Sequence, residues 1–235
     1  MNANTHSVFS QTAVPTPSAM TLNVVELFSS IEGEGSRQGF PCSFLRLYDC
    51  NIRCSYCDTT YSYDGAPYES MTLEEVAHAL RQMGHRYITI TGGEPLLQAP
   101  AVVALIKMLS AEGSYEFNIE TNGTLLPPLI TDNVFYTYDY KCPSSLVEDM
   151  MNLDVFQHMT SRDVLKFVVG SIDDLYTMRD IIATYHPIAS VFVSPVFGAI
   201  EPKTIVEFLL EHKLDDVRVQ LQIHKFIWDP SATGV

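Results

Sequence analysis

Cys50-Asn51-Ile52-Arg53-Cys54-Ser55-Tyr56-Cys57 is the stretch on which the fold of this chain turns. It follows a short apolar run, Ser43–Tyr48, and therefore reads as a loop leaving the end of a strand. The spacing is C-x3-C-x2-C. Three thiols this close can hold one metal centre from a single loop. A structural zinc site takes four ligands, so a fourth would come from Cys42, Cys142 or a nearby histidine. A [4Fe–4S] cluster on three cysteines instead leaves one iron open, whereas an electron-carrying cluster normally takes four. Cysteines that merely pack scatter through a core. Here three of the five crowd into eight residues, and an odd five is a poor disulfide framework.

Around this loop, strand-like and helix-like segments alternate. Leu22–Phe28 and Ser43–Tyr48 read as strands. Thr72–Gly84 reads as a helix, with Thr72 and Glu75 as a capping box and an apolar stripe at Leu73, Val76, Ala77 and Leu80. Further strands are expected at Arg86–Thr91, Tyr115–Glu120, Val134–Tyr140, Val164–Val169, Ala189–Ser194 and Val217–Ile223. Further helices are expected at Ala99–Gly113, Leu146–Gln157, Ile172–Tyr185 and Pro202–Lys213. This alternation implies right-handed crossovers and a parallel sheet in an α/β fold. About six β/α units fall short of the eight of a full barrel, which leaves a partial open barrel or a doubly wound sheet. In either, the chemistry belongs at the C-terminal ends of the strands.

The chain has 235 residues, 46% hydrophobic and 18% charged, enough for a sizeable core in one domain over 21–235. Its net charge of −14 opposes nucleic-acid and anionic-membrane binding. No run approaches ~18 apolar residues, so no membrane span is expected. Residues 1–20 hold no charged side chain and read as a flexible tail without signal-peptide character. A cytoplasmic protein with reduced thiols is the expectation.

The cysteine spacing, with aromatic Tyr56 before the last cysteine, resembles the signature of the radical S-adenosylmethionine (SAM) enzymes. Thr91-Gly92-Gly93-Glu94-Pro95 supports it, because it directly follows a predicted strand. Alone, such a segment is an ordinary turn. In that superfamily it binds the methionyl amino group of SAM, with glycines for close backbone approach and Glu94 for negative charge. The resemblance implies a partial (βα)6-type open barrel with a parallel sheet. It also implies a [4Fe–4S] cluster on Cys50, Cys54 and Cys57 that reduces SAM to a radical, so no protein side chain is the catalytic oxidant.

Within the superfamily the chain resembles the 7-carboxy-7-deazaguanine synthases, which act in queuosine biosynthesis, a 7-deazapurine pathway to tRNA modification. Phe28-Ser29-Ser30-Ile31-Glu32-Gly33-Glu34-Gly35 resembles their F-x-x-[IL]-Q-G-E-G element, with Glu32 where glutamine is usual. The resemblance assigns Ile31, Glu32, Gly33 and Glu34 to a pterin substrate, together with Arg46, Thr91, His224 of the closing Gln222-Ile223-His224-Lys225, and the C-terminal Val235. Thr59, after Cys57-Asp58, is implied as a Mg²⁺ ligand. Tyr56, Gly92, Gly93, Glu94, Thr121, Asp139, Tyr140, Lys141, Ser144, Val193, Ser194, Pro195 and Val196 are implied around SAM, and Glu120 and Asn122 beside Thr121 share that strand end. The implied reaction turns 6-carboxy-5,6,7,8-tetrahydropterin into 7-carboxy-7-deazaguanine with loss of ammonia. A flavodoxin or ferredoxin is the implied electron donor, and a homodimer the implied assembly. Two other readings compete: an activase acting on a protein partner, disfavoured by the Gly-Glu-Gly segment, and a zinc-binding module.

Overall fold

The computed structural model describes residues 20–235, so the expected tail lies outside the described residues except for Met20. Nine strands form one sheet: β1 (Thr21–Ile31), β2 (Pro41–Leu47), β3 (Glu69–Thr72), β4 (Tyr87–Gly92), β5 (Glu116–Thr121), β6 (Val134–Tyr140), β7 (Val164–Val169), β8 (Ser190–Pro195) and β9 (Val217–Val219). Their spatial order is β3-β1-β2-β4-β5-β6-β7-β8-β9. Apart from β3, the strands from β2 to β9 are parallel and follow one another across the sheet in chain order, with no reversal. A doubly wound sheet reverses its strand order at a switch point; this one does not, so the open barrel is the fold. The sheet is not wholly parallel. β1 pairs antiparallel with β2 and with β3, and β3 carries no signal in its short Glu69–Thr72 sequence.

Four of the six parallel crossovers carry an α-helix: α1 (Leu73–Met83), α2 (Ala99–Ser110), α3 (Ile172–Tyr185) and α4 (Pro202–His212). A single turn, α5 (His224–Ile227), follows β9. The helix expected over 146–157 is instead a string of short 3-10 turns. Leu146 adopts a left-handed φ of 62° and Met151 is extended, and both break an α-helical ladder. No apolar stripe compensates, since Leu146, Met150 and Leu153 are all exposed. The final strand also stops early, at Val219 rather than Ile223. None of the described helices is long and apolar enough to cross a membrane.

The two-residue period of a strand divides the sheet into two faces. Ile88 and Ile90 of β4, Phe117 and Ile119 of β5, Tyr136 and Tyr138 of β6, and Leu165, Phe167 and Val169 of β7 belong to one core under the helices. The alternate positions turn inward. Arg46, Thr91, Glu120, Asp139 and Lys166 thereby form a polar row across β2, β4, β5, β6 and β7. The register aligns Arg46 with Thr91, and Asp139 with Lys166.

The helices are capped as their sequences suggest. The Thr72 side chain accepts from Glu75 N–H while Glu75 reaches back, and Gly84 ends α1 with a left-handed φ of 75°. Thr72→Ala should therefore cost about 1 kcal/mol. A urea titration should show a lower midpoint; an unmoved midpoint would contradict the cap.

Candidate active site

The cysteine loop leaves β2 through Asp49, at a left-handed φ of 77° with its Oδ1 accepting from Cys50 N–H at 2.8 Å. Aspartate tolerates this conformation because its short side chain bonds locally. The loop is tied down on several sides. Ser55 donates from N–H and hydroxyl to Ser145 O and Ser144 O, at 2.9 and 2.5 Å. Arg53 Nη1 donates to Cys50 O at 2.6 Å, and its guanidinium forks onto Asp64 while covering the Tyr63 ring. Tyr56 donates from its hydroxyl to Val168 O at 3.3 Å.

Glycines 92 and 93 let the end of β4 lie against this loop. A Cβ on Gly92 would stand 2.2 Å from Leu47 O, and one on Gly93 2.1 Å from Asp49 O. The close approach is thus to protein backbone. Glu94 does not reach the cavity. It is fully buried, and its carboxylate accepts from Leu96 N–H, Asn122 N–H and the Thr121 hydroxyl. Burial raises its pKa to about 6 despite these donors.

At the C-terminal ends of the strands lies a cavity of about 410 Å³. Cys50, Cys54 and Cys57 line it together, half-buried. Burial pushes the Cys50 and Cys54 thiols up, and the charges of the neighbouring thiols push the same way. Three mutually repelling sulfurs facing one void form the donor set that a cluster with one open iron needs, and loading it would release their protons. Among the described residues no three His, Cys, Asp or Glu side chains are placed around a single ion. A cluster distributes its ligands over several irons and does not require that.

The row of inward side chains carries the charge. Lys166 Nζ stands 3.1 Å from Glu34 Oε2 and 3.0 Å from Asp139 Oδ1, and Lys141 stands 3.2 Å from Asp139 Oδ2. Burial would neutralise Lys166, but Asp139 and Glu34 hold it well above the ordinary lysine range. Glu120 is raised to about 7, chiefly by burial and further by Glu32 and Asp139, with Lys166 opposing. Arg46 donates from Nε to Glu26 Oε1 at 2.6 Å, and the Tyr61 hydroxyl reaches the same oxygen. The Nη atoms of Arg46 have no acceptor among the described residues. Glu34 Oε1 is likewise buried without a partner.

His224 packs directly on Gly33, where an added Cβ would lie 2.0 Å from its Nδ1. Gly33 is needed for this side chain as much as for any ligand. Burial lowers the His224 pKa. Thr59 lines the cavity and donates to Asp58 Oδ1 at 2.9 Å, while Asp58 pairs with Lys225 at 2.9 Å. The C-terminal segment 230–235, including Val235, forms one wall.

The structure thus gathers Ile31, Glu32, Gly33, Glu34, Arg46, Tyr56, Thr59, Thr91, Gly92, Gly93, Thr121, Asp139, Lys141, Val196, His224 and Val235 around the three cysteines. Five expected SAM residues, besides Glu94, do not line the cavity. Tyr140 and Val193 belong to the core face of their strands, and Pro195 shares that phase of β8. Ser194 is fully buried. Ser144 is spent on Asp174, to which its N–H donates at 2.9 Å and its hydroxyl also donates. Lys166 was not anticipated. The signal was present: a lysine inside the apolar run Val164–Val169 needs buried partners.

A family model described as the radical SAM superfamily matches residues 46–134. The 7-carboxy-7-deazaguanine synthase of Clostridium acetobutylicum is 40% identical over 92% of this chain and 100% of its own length. The enzyme of that name from Methanospirillum hungatei is 39% identical over 92% of this chain and 89% of its own. The crystal structure of QueE from Escherichia coli shares the fold at a TM-score of 0.69, with 21% identity over 87% of this chain and 95% of that one.

Two outcomes follow from the charge row. Lys166→Met strands Glu34 and Asp139 in the interior and should cost about 3–5 kcal/mol in denaturant unfolding; a loss below 1 kcal/mol would show that the row is not a coupled unit. Glu120, raised in the folded state, binds its proton more tightly there than when unfolded, so it withdraws stability as pH climbs from about 4.3 to about 7. Glu120→Gln should therefore gain stability relative to the parent across that window, read from urea midpoints at its two ends.

Proposed function

The chain belongs to the 7-carboxy-7-deazaguanine synthases of the radical SAM superfamily, and on that premise we propose how its cavity carries out their reaction on 6-carboxy-5,6,7,8-tetrahydropterin. One observation carries the proposal. The unpaired Glu34 Oε1 and the open Nη side of Arg46 face the same cavity as the three cysteine thiols. A pterin ring offers N–H donors for the first and a carboxylate for the second.

Cys50, Cys54 and Cys57 would hold the cluster, which together with SAM would supply the radical chemistry. Everything else is positioning. Arg46, braced by Glu26 and Tyr61, receives the substrate carboxylate on its free donors. Glu34 is aimed by Lys166 and Gln222, whose Nζ and Nε2 both lie 3.1 Å from its Oε2, so that Oε1 is left for the ring. Thr91, in register with Arg46, sits beside Glu120 on the same face. His224, neutral from burial and fixed on Gly33, contributes one donor and one acceptor. Thr59, which lines the cavity, would offer one hydroxyl oxygen to a Mg²⁺ ion, a hard cation that would add positive charge beside a carboxylate. The terminal segment to Val235 closes the open side and excludes water. Residues 21–235 act as one domain, a flavodoxin or ferredoxin delivers the electron, and the enzyme works as a homodimer.

Protein reconstituted anaerobically with iron and sulfide, given SAM, reductant, Mg²⁺ and the tetrahydropterin, should release the deazaguanine and ammonia. SAM cleavage without that product would overturn the substrate. Arg46→Leu removes charge-assisted hydrogen bonds of about 1.5–3 kcal/mol. It should raise KM by roughly ten- to a hundredfold while the iron content stays constant.

A further inference from the structure

Asn122, the residue after β5, is buried, and its amide is held in one orientation by a closed ring of three side chains. Its Oδ1 accepts from the Thr124 N–H at 3.1 Å and from the Thr124 hydroxyl at 2.7 Å. Asn51 Nδ2 donates to that hydroxyl at 2.8 Å, and Asn51 Oδ1 accepts from Asn122 Nδ2 at 2.9 Å. Below the ring, Asn122 N–H is anchored on Glu94 Oε2 at 2.7 Å. Turning the amide over would set its two hydrogens against the two donors of Thr124, so the ring decides which end is NH₂. One hydrogen of that NH₂ goes to Asn51. The other is directed at Cys50, with Nδ2 3.7 Å from Sγ.

We propose that Asn122 sets the reduction potential of the cluster by donating this N–H to the Cys50 sulfur. The inference rests on the assignment of Cys50, Cys54 and Cys57 as cluster ligands. Reduction places added negative charge partly on the ligating sulfurs, and a fixed donor stabilises the reduced form more than the oxidised one. Asn122 acts through Cys50 on the cluster and not on the pterin.

The test is a potentiometric titration of the reconstituted holoenzyme, followed by electron paramagnetic resonance, with iron and sulfide counted in each sample. Asn122→Leu, nearly the same shape without the donor, should load the cluster and shift its midpoint to more negative potential. Asn122→Asp, which turns an acceptor toward the sulfur, should shift it at least as far. Thr124→Val, at a half-buried position, loosens the ring but keeps the donor, and should shift it less in the same direction. A loaded Asn122 variant titrating at the parent potential would overturn the inference. A parent protein that takes up zinc but no iron and sulfide would instead overturn the cluster assignment beneath it.

Discussion

The site rests on one close approach, that of the end of β4 to the end of β2. Gly93 N–H donates to Leu47 O at 3.1 Å, and Glu94 N–H donates to Asp49 O at 2.7 Å. A side chain at Gly92 would overlap the β2 backbone at Leu47 and one at Gly93 the backbone of Asp49, and Gly92 adopts a φ of 146° that other residues avoid. This contact continues the sheet ladder for two residues past the strands and pins Asp49, from which the cysteine loop springs. Glu94 extends the same clamp to β5 through Thr121 and Asn122. The Gly-Gly-Glu segment therefore joins three strand ends before it does anything for a ligand. Its buried carboxylate is structural, a role the motif by itself does not reveal.

Charge is organised around that frame. A chain of net −14 that must hold a carboxylated substrate needs its few cations well placed. Lys166, Lys141 and Arg46 are each neutralised by inward acids, but unequally. Lys166 is shared between Glu34 and Asp139, so two of its three donors are taken and it works chiefly as a bridge between the two carboxylates. Arg46 gives one donor to Glu26 and keeps the rest. The geometry of the guanidinium, with five donors in a plane, allows that division where an ammonium would be surrounded.

Much of this was legible in the sequence, and the failures share a cause. Strands with an apolar run and helices with caps, such as α1, α3 and β6, fall where their residues place them, because local propensity and burial agree there. The loop cysteines were legible because thiol spacing is a covalent constraint. Tyr140, Val193 and Pro195 do not line the cavity, although they lie in segments that do. A strand turns alternate residues to opposite faces, and a shift of one residue exchanges core for cavity. Had the period been applied within Val134–Tyr140, the tyrosines at 136, 138 and 140 would have fallen together on the core side, leaving Asp139 inward. The bond of Asp174 to Ser144 was not legible, since it joins segments thirty residues apart, although Asp174 closes a capping box with Ser171 that the local sequence does signal.

Glu32 shows how a departure from a family's pattern can be absorbed. Glutamine at this place both donates and accepts, and a carboxylate only accepts. In this chain Glu32 is buried and its Oε1 accepts from Arg37 Nη2 at 2.7 Å and from the Thr89 hydroxyl, with the Cys42 thiol at 3.6 Å. Arg37 is itself buried, its guanidinium 4.9 and 5.0 Å from the ring centres of Tyr87 and Phe135. An arginine so enclosed would be an unpaired buried charge beside an amide, which is costly. The carboxylate at 32 and the arginine at 37 therefore answer each other, on the side of Glu32 that faces into the protein. The charge of Glu32 is felt across the cavity by Glu120, whose own pKa burial raises to about 7 with Glu32 pushing the same way.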